Sequence, residues 1–493
     1  MQLVRADEGE AGKALISHPD MDSVILTGAS ETAKLFRSWK PDMVLNAETS
    51  GKNAIIVTPA ADPDLAVADV YKSAFGHAGQ KCSAASLVIL VGSVGESQRF
   101  LGQLVDAVPT LKVGYGTDIS TSMNGLIEPP SEKLQRGLTK LEPGERWLVQ
   151  PRQLDDEGKL WSPGVRDGVA PGSWYHTHEC FGPVLGIMHA KDLDEAIAWQ
   201  NATGFGLTGG IHSLDDDEIA HWIDKVEVGN AYVNRGITGA IVQRQSFGGW
   251  KNSAIGAGAK AGGPNYVGQL GHWEDGELKG LDVSLRPRVA QFLYDAAFDL
   301  SEVLSKDDLQ WVRRAAELDE FAYSAHFGRD HDRTALGSEA NIFRCKPLLE
   351  PLRVRVGAGL EPSEAIRNVV RLVVGSLLTG TELDISADPK VVEQLRAAGL
   401  GPDATRHGVL IREATDSDFA GEVAGSEFSR IRTIGEVDPD LRKAAVESSS
   451  VILDGPVLAD GRRELLHQLL EQAVSVTMHR FGVKRGVGHI ERD

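Results

Sequence analysis

The sequence predicts an α/β protein with a mainly parallel sheet, because short apolar runs alternate with helical segments. Four apolar runs have the length and composition of buried strands: 24–26, 54–57, 87–91 and 185–190. Each run is followed by a segment with apolar residues at helical spacing. This alternation is typical of βαβ units, whose parallel strands are covered by helices on both faces.

The helical segments follow the strands in order. Residues 31–39 are amphipathic, and a helix is predicted over 65–79 with Asp64 as its N-cap. Two further helices are predicted over 97–108 and 192–201. The acidic residues 215–218 are suited to begin another helix, because carboxylates interact favourably with the N-terminal end of its dipole.

A change in composition divides the chain at about residues 275–290. The stretch 248–263 is rich in Gly, Ala and polar residues and predicts a loop. Residues 276–289 predict a linker, and further helical and strand-like segments follow. We therefore expect a second module over residues 290–493.

Composition and charge exclude several classes of protein. The 493 residues carry 51 Lys and Arg against 70 Asp and Glu, and a net charge of −19 argues against a general nucleic-acid binder. The three widely spaced cysteines predict no disulfide framework and fit a reducing cytoplasm. The N-terminus lacks the apolar core of a signal peptide. The apolar stretch 368–378 is interrupted by Arg371, so no membrane span is predicted.

The strongest chemical signal is Cys82, which follows a Gly-rich turn in the stretch 76–86. A thiolate is a strong nucleophile, and we expect the neighbouring Lys81 and local N–H donors to lower the pKa of this thiol. A single cysteine is more often a buried structural residue, so Cys82 alone does not establish a catalytic site.

Other candidates lie at turns beside predicted strands. Glu48 precedes the strand at 54–57 and would be a general base if it lay near Cys82, although a solvated turn carboxylate is the simpler interpretation. His176, His178 and Cys180 alternate along the chain and suggest a metal site. That site is disfavoured, and no metal is predicted, because no second ligand pair stands at zinc-like spacing.

Taken together, these segments resemble the aldehyde dehydrogenase superfamily. The order is Glu48, then Gly-Gln-Lys-Cys at 79–82, then Glu-x-Phe-Gly-Pro at 179–183, then Phe-Gly-Gly at 247–249. Within the superfamily, AETSGKNAIIV, FGHAGQKCSAAS and NRGITGAIVQRQSFGG are similar to L-glutamate γ-semialdehyde dehydrogenases, also called 1-pyrroline-5-carboxylate dehydrogenases. The resemblance covers about residues 20–275.

The resemblance implies both a reaction and a cofactor. Cys82 would attack the aldehyde, NAD would accept the hydride, and Glu48 would activate the water that hydrolyses the resulting thioester. Glu179 would contact the ribose of the cofactor and Phe181 would lie beside its nicotinamide ring. The cofactor-binding residues would also include Thr27, Gly28 and Ala29, which precede a helix N-terminus suited to a pyrophosphate.

The implied substrate is L-glutamate γ-semialdehyde, and oxidation to L-glutamate is the second step of proline catabolism. Backbone N–H groups of Gly239 and Ala240 and the hydroxyl of Ser83 would bind its amino-acid end, and Phe247 would line the pocket. Ser246 replaces the proline that usually precedes this phenylalanine. A different semialdehyde, such as succinate semialdehyde, is an alternative substrate.

The C-terminal module also carries a resemblance. Its stretches 337–347 and 456–482 are similar to the C-terminal domain of longer proline utilization A proteins, a degenerate aldehyde-dehydrogenase-like domain that covers a cavity between two active sites. The predicted domains are therefore a remnant of the NAD-binding domain (1–45), a catalytic domain (46–275), the linker and the C-terminal domain.

The chain starts abruptly for this family. Members carry a longer segment before the first strand, so we expect a fragment, a mis-assigned start or one half of a split gene. A rival hypothesis is a non-catalytic half that needs a partner chain with the missing cofactor-domain segment. Proline dehydrogenase and a second copy of this chain are further expected partners.

Overall fold

The computed structural model describes residues 1–6, 9–278, 281–357, 359–397, 400, 408–427, 429–480 and 482–484. Its three largest sheets contain nine, five and three strands. The strands, numbered in chain order, are β1 Val24–Thr27, β2 Leu45–Glu48, β3 Asn53–Val57, β4 Ala85–Val91, β5 Val113–Gly114, β6 Met123–Asn124, β7 Arg146–Val149, β8 Gly164–Asp167, β9 Val184–Ala190, β10 Phe205–Gly206, β11 Thr208–His212, β12 Asn230–Val233, β13 Trp250–Lys251, β14 Ala254–Ile255, β15 Glu339–Pro347, β16 Leu352–Val356, β17 Leu383–Ala387, β18 Val409–Glu413, β19 Arg430–Ile434, β20 Val451–Leu453, β21 Leu469–Thr477, β22 His479–Arg480 and β23 Val483–Lys484.

Helices cover the faces of these sheets. The helices are α1 Glu10–Ile16, α2 Ser30–Trp39, α3 Pro63–Phe75, α4 Gln98–Ala107, α5 Glu132–Thr139, α6 Trp174–Thr177, α7 Leu193–Asn201, α8 Asp216–Lys225, α9 Pro287–Asp299, α10 Lys306–Ala322, α11 Pro362–Thr379, α12 Pro389–Ala397, α13 Asp416–Ala424, α14 Pro439–Glu447 and α15 Gly461–Glu464. In the described part of the chain, no helix is long and apolar enough to cross a membrane.

The nine-stranded sheet forms the centre of the molecule. Its order is β15-β21-β12-β11-β3-β4-β9-β8-β7, and all pairs are parallel except β15–β21 and β8–β7. The four apolar runs of the sequence correspond to β1, β3, β4 and β9. Strand β21 comes from the C-terminal part of the chain and pairs directly with β12. The main sheet therefore contains strands from both sides of the predicted linker.

The C-terminal part has its own parallel sheet in the order β18-β17-β16-β19-β20. Helix α11 packs against it and is buried along most of its length. Arg371, which interrupts the apolar stretch of this helix, donates to both carboxylate oxygens of Asp319 at 2.7 Å, and both side chains are fully buried. Such a paired charge can lie inside a core, whereas an isolated one could not.

The three-stranded sheet has the order β1-β2-β14 and carries Glu48 at the end of β2. Strands β1 and β2 are parallel, with Thr27 beside Glu48, and β14 runs antiparallel to β2. The prediction of a loop over 248–263 was wrong for β13 and β14. Two-residue strands are too short to give a periodic pattern in the sequence.

The N-cap of α3 is Asp62 and not Asp64, as the sequence suggested. The Asp62 carboxylate accepts from the Asp64 N–H at 3.1 Å and the Leu65 N–H at 3.2 Å. Pro63 occupies the first helical position, where its fixed φ is favourable and a missing N–H costs nothing. The helix ends at Phe75, before the predicted residue 79, because His77 and Ala78 adopt positive φ.

Candidate active site

Cys82 lies in a tightly turned loop between α3 and β4. Three successive residues, His77, Ala78 and Gly79, have φ values of 55°, 54° and 68°. A Cβ atom on Gly79 would collide with the carbonyl oxygen of Gly182. The cysteine loop therefore packs backbone-to-backbone against the loop that follows Glu179, and only glycine permits this approach.

We expect Gly79→Ala to lower the free energy of unfolding by about 2–4 kcal/mol, because it adds both a collision and a strained φ. Gly76→Ala is a matched control, since its φ is −55° and a Cβ there meets nothing within 4 Å. Urea denaturation of both variants measures the difference. Equal stabilities would contradict the close packing of the two loops.

Asn53, the first residue of β3, binds the backbone of the cysteine loop through its side chain. Its Nδ2 donates to the carbonyl oxygens of Cys82 at 2.7 Å and Ala84 at 2.9 Å. Its Oδ1 accepts from the Thr208 N–H at 3.0 Å. Our sequence reasoning missed this residue, although an asparagine that opens an otherwise apolar strand is a visible signal.

The thiol of Cys82 is partly exposed and has an unfavourable environment for ionisation. Burial raises the pKa of Cys82, and the charges of Glu179 and Glu48 raise it further. The backbone N–H and the hydroxyl of Ser83 act in the opposite direction. The expectation of a lowered pKa for this thiol was wrong, because desolvation outweighs the local N–H donor, which does act in the predicted direction.

Glu48 lies at the end of β2 with its carboxylate turned toward the Phe-Gly-Gly loop. Its Oε2 accepts from the Gly249 N–H at 2.9 Å. Burial raises the pKa of Glu48 to about 7, while the charge of Lys260 and the Gly249 N–H oppose this rise. The carboxylate is close enough for its charge to act on the pKa of Cys82. The structure thus brings the two predicted catalytic residues into one electrostatic environment.

Lys260 is a buried cation that our sequence reasoning did not identify. Its Nζ donates to the carbonyl oxygen of Gly248, and its backbone N–H donates to Glu471 Oε2 at 2.7 Å. Asn265 Nδ2 donates to the other Glu471 oxygen at 2.6 Å. Because Glu471 lies on β21, the C-terminal part of the chain supports the environment of Glu48.

The predicted cofactor residues converge around Ser50 and Gly51. The Gly51 N–H donates to Glu179 Oε1 at 3.0 Å, and burial raises the pKa of Glu179. The Ser50 hydroxyl accepts from the Ser30 N–H at 3.4 Å, at the start of α2. The N-cap of α2, Ala29, provides no side-chain cap, and its carbonyl oxygen accepts from the Thr32 and Ala33 N–H groups at 3.1 and 3.3 Å.

The other predicted cofactor residues frame this region. Thr27 ends β1 beside Glu48, and Gly28 leads into α2. Phe181 has φ 55° and an exposed fraction of 39%, so its ring faces solvent. An exposed aromatic ring in a strained backbone conformation is typical of a binding residue more than of a packing residue.

The predicted substrate residues lie on two segments. Ser83 is buried directly beside Cys82. Gly239 has φ 82° with open space around it, and Ala240 follows it. Phe247 forms an antiparallel bridge with Ala261, with N–H to oxygen distances of 2.9 and 2.8 Å. Phe247 therefore lies next to the glycines that contact Glu48.

The segment with Gly239 is attached to α3 and to β12. The Ile237 N–H donates to Ser73 Oγ on α3 at 3.1 Å. Farther along, the Ser246 carbonyl oxygen accepts from Asn230 Nδ2, on the first residue of β12, at 3.0 Å. Gly239 and Ala240 therefore lie between these two attachments in the chain.

The alternative metal site is not assembled. The Nδ1 atom of His176 accepts from the Gly172 N–H at 2.9 Å, and its Nε2 lies 2.9 Å from the Trp199 carbonyl oxygen. Both ring nitrogens are thus engaged by backbone groups. Within the described ranges, no group of three or more His, Cys, Asp and Glu side chains is placed to hold a metal ion.

The described geometry places a thiol and a buried carboxylate beside a mainly parallel sheet. The model of the aldehyde dehydrogenase family matches residues 1–270, and the chain belongs to this family. This confirms the resemblance seen in the sequence. Membership supports the use of an NAD-type cofactor.

Relatives and solved structures carry more specific names. A 1-pyrroline-5-carboxylate dehydrogenase of Geobacillus sp. (strain WCH70) is 35% identical over 278 residues, which are 54% of this chain and 53% of that protein. The bifunctional protein PutA of Rhizobium meliloti is 35% identical over 293 residues, 55% of this chain and 22% of that protein. The chain therefore spans about half the length, or less, of these curated relatives.

One solved structure matches nearly the whole chain. Proline utilization A from Corynebacterium freiburgense is 57% identical, covers 98% of this chain with a TM-score of 0.83, and is covered to 44% by it. The likeness includes the C-terminal part, which the family model does not reach. The predicted fold, an aldehyde dehydrogenase architecture with mixed α/β sheets, is confirmed.

Proposed function

We propose that this chain carries the aldehyde-oxidising site of an L-glutamate γ-semialdehyde dehydrogenase, which forms L-glutamate during proline catabolism. The observation that carries the proposal is the 57% identity to proline utilization A over 98% of the chain. The identity extends through both parts of the chain, and named relatives of the first part are 1-pyrroline-5-carboxylate dehydrogenases. The buried carboxylate of Glu48, which lies close enough for its charge to act on Cys82, supports the same assignment.

In this proposal, Cys82 is the nucleophile. Its sulfur adds to the aldehyde carbon to give a hemithioacetal, and the Cys82 backbone N–H is a candidate donor to the developing oxyanion. Loss of hydride from that carbon leaves a thioester on Cys82. Hydrolysis of the thioester then releases the carboxylate product and restores the thiol.

Glu48 is the general base for the hydrolysis. Its pKa of about 7 places it where a carboxylate can accept a proton from water at neutral pH. Its Oε2 accepts from the Gly249 N–H in this structure, so in this proposal the side chain turns toward the thioester before hydrolysis. The Lys260 charge keeps this buried carboxylate ionised to a greater extent than burial alone would allow.

The residues around Ser50 fit a nicotinamide dinucleotide. The N-terminal end of α2, after Thr27, Gly28 and Ala29, would hold the pyrophosphate, and Glu179 would bind a ribose hydroxyl. Phe181 would lie beside the nicotinamide. When bound, the dinucleotide supplies the hydride acceptor.

The aldehyde's amino-acid end would bind the N–H groups of Gly239 and Ala240 and the hydroxyl of Ser83. Gly239 has open space around it and a positive φ, so the backbone there is accessible to a carboxylate.

Comparison of kcat/KM for L-glutamate γ-semialdehyde, succinate semialdehyde and propionaldehyde tests this assignment. We expect L-glutamate γ-semialdehyde to exceed both others by roughly 100-fold, because propionaldehyde has no carboxylate, and succinate semialdehyde has no ammonium and carries its carboxylate one carbon closer to the aldehyde. A preference for succinate semialdehyde would instead support a dehydrogenase of another semialdehyde.

A second candidate function is that of a half-enzyme that acts with another polypeptide. Strand β1 is an edge strand of a three-stranded sheet, and Ile25 within it is 57% exposed. Such an edge can pair with a further strand. NADH formation would be measured with the chain alone and after addition of the N-terminal part of a 1-pyrroline-5-carboxylate dehydrogenase. Activity only in the mixture would favour this candidate.

Three further properties remain predictions: association with a second copy of this chain, association with proline dehydrogenase, and a cytoplasmic location.

A further inference from the structure

The segment that carries Gly239 and Ala240 is attached to the C-terminal part of the chain at both of its ends. We call residues 235–245 the anchor loop. At its start, Arg235 Nη1 donates to Glu339 Oε2 at 3.0 Å and to Ser475 Oγ at 2.6 Å. Glu339 lies on β15 and Ser475 on β21.

At the other end of the anchor loop, the Gln245 side chain connects a side chain of β15 to a backbone N–H of the loop. Its Nε2 donates to Asn341 Oδ1 at 2.5 Å, and its Oε1 accepts from the Ile241 N–H at 3.0 Å. Gln245 is buried, as is Asn341. Because Ile241 directly follows Ala240, the orientation of Asn341 is transmitted to the peptide next to the predicted carboxylate-binding N–H groups.

Glu339 and Asn341 are themselves held in place. They point to the same face of β15, since they are two residues apart. Asn341 Nδ2 donates to Glu339 Oε1 at 2.9 Å and to Thr334 Oγ1 at 3.2 Å. The Ser475 hydroxyl donates to Asn341 Oδ1 at 2.9 Å, and the two residues are register partners across β15 and β21. Strand pairing thus fixes both side chains relative to the main sheet.

We propose that Glu339 and Asn341 are positioning residues for substrate recognition, which hold the anchor loop in the shape that presents the Gly239 and Ala240 N–H groups. This inference rests on the proposed function and deepens it. The Gly-x-Glu-x-Asn pattern of the C-terminal part then acts on the aldehyde site through the anchor loop. A carboxylate that accepts hydrogen bonds from two N–H groups needs both groups in fixed positions. A more mobile loop therefore binds the carboxylate more weakly.

The cysteine loop is held by a separate set of contacts, through Asn53. Loss of the Asn341 or Glu339 side chain should therefore weaken binding of the amino-acid end and leave the reactivity of Cys82 unchanged. A general structural weakening would change both. This difference separates a positioning role from a merely structural one.

The experiment measures alkylation of Cys82 by iodoacetamide, followed by mass spectrometry of the Cys82 peptide, in increasing concentrations of L-glutamate. We expect Asn341→Ala to raise the half-protecting concentration about tenfold and Glu339→Gln about threefold, with unprotected alkylation rates within twofold of the unaltered chain. Lys346→Ala is the matched control on β15, since its ammonium contacts the Asp224 carbonyl oxygen at the end of α8. It should leave protection unchanged.

The outcomes are distinguishable. Absence of protection in the unaltered chain would overturn the proposed function and this inference with it. Equal protection of the unaltered chain and both variants would overturn the positioning role alone. A parallel change in protection and in unprotected alkylation would also overturn it, because that pattern indicates general loosening. If Asn341→Ala fails to fold, Glu339→Gln decides, since Gln still accepts from Arg235.

Discussion

Replacement of Cys82 by Ala is expected to abolish NADH formation from L-glutamate γ-semialdehyde, to less than about one part in 10⁴ of the unaltered rate. Without the sulfur, no hemithioacetal forms, and hydride has no suitable carbon from which to leave. The assay is NADH absorbance with the chain in the form that is active, alone or with an added cofactor-domain segment. Folding is checked by thermal denaturation.

Cys345→Ala is the control for this experiment. Cys345 lies on β15, and burial raises the pKa of its thiol, so it is a poor nucleophile. We expect its activity to remain within about threefold of the unaltered chain, because the change removes one partly buried sulfur. If Cys82→Ala retained turnover and Cys345→Ala lost it, Cys82 would not be the nucleophile.

Replacement of Glu48 by Gln is expected to lower turnover by about 10²–10⁴-fold and to remove most of its pH dependence. The pKa of Glu48 is raised to about 7, so its carboxyl group is increasingly protonated below neutral pH and cannot accept a proton from water. The unaltered chain should therefore gain hydrolysis rate as the pH rises through 7 and level off above it. Steady-state rates between pH 5 and 9 measure the profile.

Glu195→Gln makes the same chemical change at a remote site, where Glu195 Oε2 accepts from the Lys191 N–H near the start of α7. Its pH profile should match that of the unaltered chain. If Glu48→Gln kept the rise near pH 7, another group would be the base. A rise in rate near pH 7 in the unaltered chain, Glu48→Gln and Glu195→Gln alike would also show that Glu48 is not the base.

Two of the strands that position the site could be predicted, because each contains an uninterrupted apolar run bounded by turn residues. Runs 54–57 and 87–91 lie within β3 and β4, which follow Glu48 and Cys82 in the chain, whereas β2, which carries Glu48, has no such run. Cys82, Glu48 and Glu179 could likewise be selected, because each belongs to a short pattern of neighbouring residues. Local signals of this kind need no knowledge of the tertiary structure.

The residues that support the site could not be found in this way. Lys260 contacts Glu471, and Gln245 contacts Asn341, across 211 and 96 positions of the chain. Such pairs have no local pattern. The Gly-x-Glu-x-Asn sequence was visible, but its partners on the anchor loop were not. The direction of the pKa shift of Cys82 also depends on burial, which is a tertiary property.

The central claim is that an acyl group is carried by Cys82 and released under the control of Glu48. Its most direct test is peptide mass spectrometry of the Glu48→Gln chain after exposure to L-glutamate γ-semialdehyde and NAD, with the cofactor-domain segment added if activity requires it. The account predicts an acyl group on the peptide that contains Cys82, and none on those that contain Cys180 or Cys345. NADH formation without acylation of Cys82 would contradict it.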